Sequence, residues 1–134
     1  MRKLFICSYF LFLIVQFISL QQKKPIEQSI ADGEEIYQDF CLQCHLSNGE
    51  GVSGIYPPLA NSDYLFDDID RSIRNIKYGL SGPIIVNDEK YNAVMLNNGL
   101  DDEEISDVMN YILNSWGNKT NEMITKERVA KISK

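Results

Sequence analysis

At 134 residues, 44% apolar and 24% charged, the chain has the length and balance of one globular domain with a single modest core. Its 19 acidic residues outnumber 13 basic ones, and the formal charge of −6 excludes the basic stripe by which a protein binds nucleic acid. Three cysteines and one histidine limit the metal and redox chemistry open to it.

The N-terminus differs from the rest. Arg2 and Lys3 precede an uncharged apolar run from Leu4 to Leu20, and "QQKKP" follows, a pattern that reads as a secretory signal peptide over residues 1–21. As a helix the run would measure roughly 26 Å, short of the roughly 30 Å hydrocarbon core of a bilayer. Retention as an anchor is the alternative reading, and the one route by which the chain would meet a membrane. Without this segment the exported part keeps 19 acids against 11 bases, a formal charge of −8, and only two cysteines, Cys41 and Cys44.

Residues 22–30 read as a linker. Asp32 with Glu35 forms a capping-box pattern opening a first helix, with Ile36 and Phe40 one turn apart on its apolar face. Residues 46–61 hold three glycines and two prolines and predict irregular structure. Ile69, Ile73, Ile76 and Leu80 then recur at helical spacing, with Gly79 as a stop signal. Residues 81–99 predict a second irregular stretch, long enough and apolar enough to serve function rather than disorder. A second capping box, Asp101 with Glu104, opens a helix whose stripe is Ile105, Val108, Met109, Ile112, Leu113 and Trp116, with a stop at Gly117. Residues 118–134 form a basic tail with five bases and two acids, read either as a short helix or as a solvated, frayed end.

"FCLQCHLSNGEG", residues 40–51, concentrates the chemistry. A disulfide between Cys41 and Cys44 would close too short a loop to act as a staple. A thiol redox pair wants a preceding strand, and none is predicted. Structural zinc wants four ligands, and Cys41, Cys44 and His45 are three. C-x-x-C-H is the attachment pattern of a c-type haem: the thiols become thioethers and the adjacent imidazole ligates iron. On a helix the three positions share one face. With no second histidine, the other axial position falls to a methionine. Met1 leaves with the signal, Met109 lies in a core stripe, Met123 lies in the tail, and Met95 alone lies in a loop between helices. The candidate cofactor ligands are therefore Cys41, Cys44, His45 and Met95, with His45 and Met95 on the iron.

The chain resembles a class I c-type cytochrome through "GEEIYQDFCLQCHLSNGEGVSGIYPPLANSDYL" at 33–65, "YNAVM" at 91–95 and "LDDEEISDVMNYILNSWGN" at 100–118. The resemblance covers nearly all of a domain at 31–117. It implies an all-α fold, four to five helices around one covalently bound haem c, with the N- and C-terminal helices crossing. It further implies that Gly33 lets those helices approach, that Tyr37 and Tyr111 pack near the crossing, that Pro57 or Pro58 offers a carbonyl to His45, and that Tyr91 lies close to Met95. Three positions depart from the family pattern. Leu96 stands where proline often follows the ligand methionine, which loosens the ligand loop. Asn87 and Asp88 stand where a glycine is common, and asparagine tolerates the left-handed conformation that glycine would supply.

The function implied is one-electron transfer by a monomeric periplasmic carrier, not an enzyme. Its donor would be a quinol-oxidising complex or a dehydrogenase, and its acceptor a terminal oxidase or reductase. Phe40, Ile55, Leu59, Tyr64 and Trp116 are the expected apolar envelope of the haem, and partners are expected to dock beside Cys41 and Cys44. The competing readings are a haem enzyme or a gas or peroxide sensor from which Met95 dissociates, and a small cytochrome subunit of a larger oxidoreductase.

Overall fold

The computed structural model describes residues 24–134, and the signal-peptide reading of residues 1–21 lies outside them. Six helices and one hairpin occur among the described residues, in the order α1 (Ile26–Phe40), α2 (Leu42–His45), α3 (Asp63–Asp67), α4 (Ile69–Tyr78), β1 (Ile84–Val86), β2 (Glu89–Tyr91), α5 (Asp102–Asn114) and α6 (Lys126–Lys131). The class is mostly helical, as expected, with six helices instead of four to five.

Helix α1 starts six residues before Asp32, so residues 26–30 are helix rather than linker. Pro25 sits at its N-cap, where the N–H that proline lacks has no helical partner to lose. Asp32 is inside the helix and caps nothing. It accepts from Gln28 Nε2 one turn earlier at 2.7 Å and ion-pairs with Lys24. The buried positions of α1 are Ser29, Gly33 and Tyr37, a four-residue repeat on one face.

That face lies against α5. A Cβ built on Gly33 would stand 2.1 Å from the Asp107 carbonyl oxygen and 2.9 Å from Tyr111 Cβ. Glycine is what lets the two backbones cross there. Ser29 Oγ donates to Asp107 Oδ1 at 2.5 Å, and Lys24 Nζ reaches Asp107 Oδ2 at 2.6 Å. Tyr37 and Tyr111 pack at 5.4 Å between ring centroids, and Trp116 closes the cluster at 5.0 and 5.4 Å from them.

Helix α5 begins as the sequence predicts. Asp101 accepts from the amides of Glu103 and Glu104, and Glu104 returns a carboxylate oxygen to the Asp101 amide at 2.8 Å. Ile105, Val108, Met109, Ile112 and Leu113 are buried, and the helix ends at Asn114, short of Gly117.

Residues 81–99, expected to be irregular, are ordered, and the tail, read either as a short helix or as a frayed end, forms the short helix α6. Within 81–99, β1 and β2 pair antiparallel with Ile84 opposite Tyr91 and Val86 opposite Glu89. Asn87 and Asp88 make the connection with φ of 51° and 65°, the two-residue turn whose twist suits a hairpin. Asp63 and Asn87 exchange backbone-to-side-chain bonds at 2.8 and 3.0 Å, fastening the turn to α3. Three-residue strands are too short to show a period of two. The basic tail, in turn, is neither solvated nor a separate unit: Ile124 and Val129 are fully buried and Ile132 nearly so, in the same core as Tyr37, Ile73 and Met109. Its charges face out while these three side chains face in.

Candidate functional site

The cysteine motif sits at the turn from α1 into α2. Cys41 has φ −115°, which bends the chain, yet its carbonyl still accepts from Cys44 N at 3.1 Å and His45 N at 2.9 Å. Local helical geometry thus holds Cys41, Cys44 and His45 within one turn. Both cysteines are free thiols, half-buried. Burial, with a smaller contribution from Cys44, pushes the Cys41 thiol up to about 11, so it is protonated at neutral pH.

His45 Nδ1 lies 3.0 Å from the Pro57 carbonyl oxygen. A carbonyl only accepts, so Nδ1 carries the proton and Nε2 keeps its lone pair. Burial lowers the pKa of the imidazole and the Pro57 bond partly offsets it. The result is a neutral ring of fixed tautomer, the form that ligates a metal. Pro57, not Pro58, supplies this carbonyl. The loop that brings it round is closed by Gly51 N to His45 O at 3.0 Å and by a bridge between Val52 and Tyr56.

Met95 arrives from the far side of the chain. Its N–H and C=O both pair with Leu80, each at 2.9 Å, in an isolated antiparallel bridge just past the end of α4. Cys41, His45 and Met95 line one apolar cleft of about 630 Å³, counting the part open to solvent. Cys44, Tyr91 and Val94 line a second recess of about 460 Å³, and the two share His45, Pro57, Leu80, Ile84 and Met95. The four residues singled out from the sequence therefore line two adjoining recesses, with His45 and Met95 on both.

The sequence reading of the envelope needs correction. Leu59 and Tyr64 do line the cleft, but Phe40 is 46% and Ile55 53% exposed. Trp116 packs between Tyr37 and Tyr111 and donates Nε1 to Ser47 O at 3.0 Å. Their places are taken by Leu65, Ile76, Leu80, Ile84, Val86 and Ile112. Ile76 and Leu80 were visible as part of a helical stripe, but the stripe alone does not say which of its members face a cofactor. Tyr91 is buried beside the recess, its hydroxyl 2.8 Å from Glu89 Oε2, and Glu89 also accepts from Ser53 Oγ at 2.6 Å.

The donor set tests what the cleft can hold. No group of three or more His, Cys, Asp or Glu side chains is placed to bind a metal among the described residues. An apolar wall with two thiols at its rim, one neutral imidazole and one thioether suits a large planar cofactor that brings its own metal and is held covalently through sulfur.

Similarity to known proteins agrees. Residues 30–116 match the cytochrome c family. The chain is 44% identical over 92 residues to cytochrome c-552 of Thermus thermophilus, covering 65% of this chain and 70% of that protein. It is 29% identical over 103 residues to the cytochrome c subunit of the quinone alcohol dehydrogenase of Gluconobacter oxydans, where the match covers 75% of this chain but 21% of that subunit. The chain belongs to the cytochrome c family. It is an electron-transfer protein carrying a covalently bound c-type haem, and not an enzyme.

Proposed function

We propose that Cys41 and Cys44 form the two thioethers to one haem c, that His45 and Met95 are its axial ligands, and that the protein is a periplasmic one-electron carrier. The donor we propose is a membrane dehydrogenase or quinol-oxidising complex, and the acceptor a terminal oxidase or reductase. The likeness to a dehydrogenase cytochrome subunit supports the donor class. The signal-like residues 1–21 support the compartment.

The observation that carries the ligand assignment is convergence. His45, with its free Nε2, and Met95, the one methionine among the described residues outside the helices and tail, line the same cleft from fifty positions apart in the sequence. When bound, the haem supplies a one-electron iron couple. Pro57 orients the His45 ring, and Leu80 holds the Met95 backbone by both its N–H and its C=O. Ile76, Leu80 and Val86 exclude water, and a low-dielectric wall disfavours the more highly charged oxidised centre, which raises the potential. Val94, 64% exposed at the lip of the recess beside Cys44, marks where a partner comes close.

The test is the visible spectrum of the ferric holoprotein at neutral pH. The weak far-red band of iron–thioether ligation is expected in the native protein and lost in Met95→Ala, with a lower reduction potential. A native protein without that band, or one whose band survives Met95→Ala, would overturn the assignment. Mass spectrometry should show one haem and no free thiol at Cys41 or Cys44.

A further inference from the structure

Leu96 follows Met95 where proline often stiffens the ligand loop, which leaves the question of what holds Met95 in place. Residues 117–134 lie beyond the segment that matches the family. They fold back across the molecule as a strap and grip α4 along a single line. Arg128 Nε pairs with Asp70 at 2.8 Å, Arg74 Nε donates to Ser133 O at 3.1 Å, Lys77 Nζ donates to Val129 O at 2.9 Å, and Tyr78 OH donates to Ile132 O at 2.9 Å. Asp70, Arg74, Lys77 and Tyr78 are spaced four, three and one apart, so they form one face of α4. Ser72, Asn75 and Ile76 form the opposite face and line the cleft.

The strap is itself anchored. Asn110, fully buried, donates to Ile124 O and accepts from Ile124 N, both at 2.8 Å, while Ile124 and Val129 are sealed in the core. At the other end, α4 stops at Gly79, with φ 82°, and runs directly into the Leu80–Met95 bridge. The fit there is close: a Cβ on Gly79 would stand 2.9 Å from the Met95 carbonyl oxygen. Freeing the thioether requires the segment around Met95 to lift off Leu80 or to carry Leu80 with it. The second route would drag a helix held by four strap contacts.

We infer that the C-terminal strap is a positioning element for the Met95 ligand, acting through α4 and the Leu80–Met95 bridge in place of a stiffening proline. The inference rests on the assignment of Met95 to the iron. No strap residue touches the cofactor cleft, so the strap acts by limiting how far Leu80 and Met95 move together.

The test is imidazole titration of the ferric holoprotein, well below the melting temperature. A Tyr78→Phe/Arg128→Met double variant removes contacts from both ends of the strap line without shortening the chain. Imidazole should bind it about fivefold to tenfold more tightly than the native protein, a shift set by the net worth of the lost bonds, and the far-red band should fade at a lower temperature. Val129→Ala, a milder change, should move both readouts the same way by a smaller factor. Ile36→Ala on α1, with a similar drop in melting temperature, should leave imidazole affinity within about twofold. If affinity follows melting temperature equally in all three, or does not change in the strap variants, the strap is a stabiliser only and the inference fails. A native protein without the far-red band would instead refute the Met95 assignment on which it rests.

Discussion

Gly33 shows how much a single residue decides. Alanine is the better helix former by roughly 1 kcal/mol, so a propensity argument alone makes Gly33→Ala stabilising. The packing argument gives the opposite sign, because the added carbon would lie 2.1 Å from the Asp107 carbonyl. That oxygen belongs to a rigid helix backbone and cannot step aside. Overpacking of this kind costs about 3 kcal/mol and outweighs the propensity gain. Urea unfolding of the holoprotein should show Gly33→Ala destabilised by about 2 kcal/mol net, and an unchanged or raised midpoint would contradict the crossing geometry. His45 makes a related point: its hydrogen bond to Pro57, a residue twelve positions away, selects the tautomer that leaves the Nε2 lone pair free.

Among the elements, the one most changed by the structure is the C-terminal tail. Its composition is basic and polar, with isolated apolar residues at 124, 129 and 132 that follow no sustained period. Those three are buried in the main core, and Asn110 holds Ile124 by both backbone groups. Asn110→Ala would leave a buried N–H and a buried C=O without partners, at a cost of about 3 kcal/mol. The expected outcome is a drop in the melting temperature together with faster amide exchange at Ile124 than at Ile105. Equal protection at both amides would mean that the strap and α5 open as one unit. The hairpin is the other element concealed in the sequence. Asn87 and Asp88 are legible as a left-handed turn, but strands of three residues carry no pattern by which to recognise them.

For the whole molecule, the haem is a structural part as well as the redox centre. The cleft wall includes Leu65, Ile76, Val86 and Ile112, and without a cofactor these side chains face an apolar void or water. A domain this small depends on such a staple. A Cys41→Ser/Cys44→Ser variant, which lacks the proposed thioethers, should melt at a much lower temperature with a broadened transition and bind a hydrophobic dye. A sharp transition close to that of the holoprotein would show that the helices close the core on their own.

By itself the sequence determined the chemistry and the strongest helix. C-x-x-C-H places two thiols and an imidazole within one helical turn, and the Asp101–Glu104 capping box with its apolar stripe defines α5; both depend on spacings of three and four residues that local geometry dictates. Counting histidines and methionines also singled out Met95. Tertiary structure decided what those groups face: Pro57 rather than Pro58 behind His45, Leu80 behind Met95, Ile76 and Val86 on the cleft wall in place of Phe40 and Ile55, and a tail turned into a strap. These are contacts between residues from twelve to more than fifty positions apart, and no local period encodes them. They exist because the helices, once crossed at Gly33, leave one apolar space that the remaining chain must line and cover.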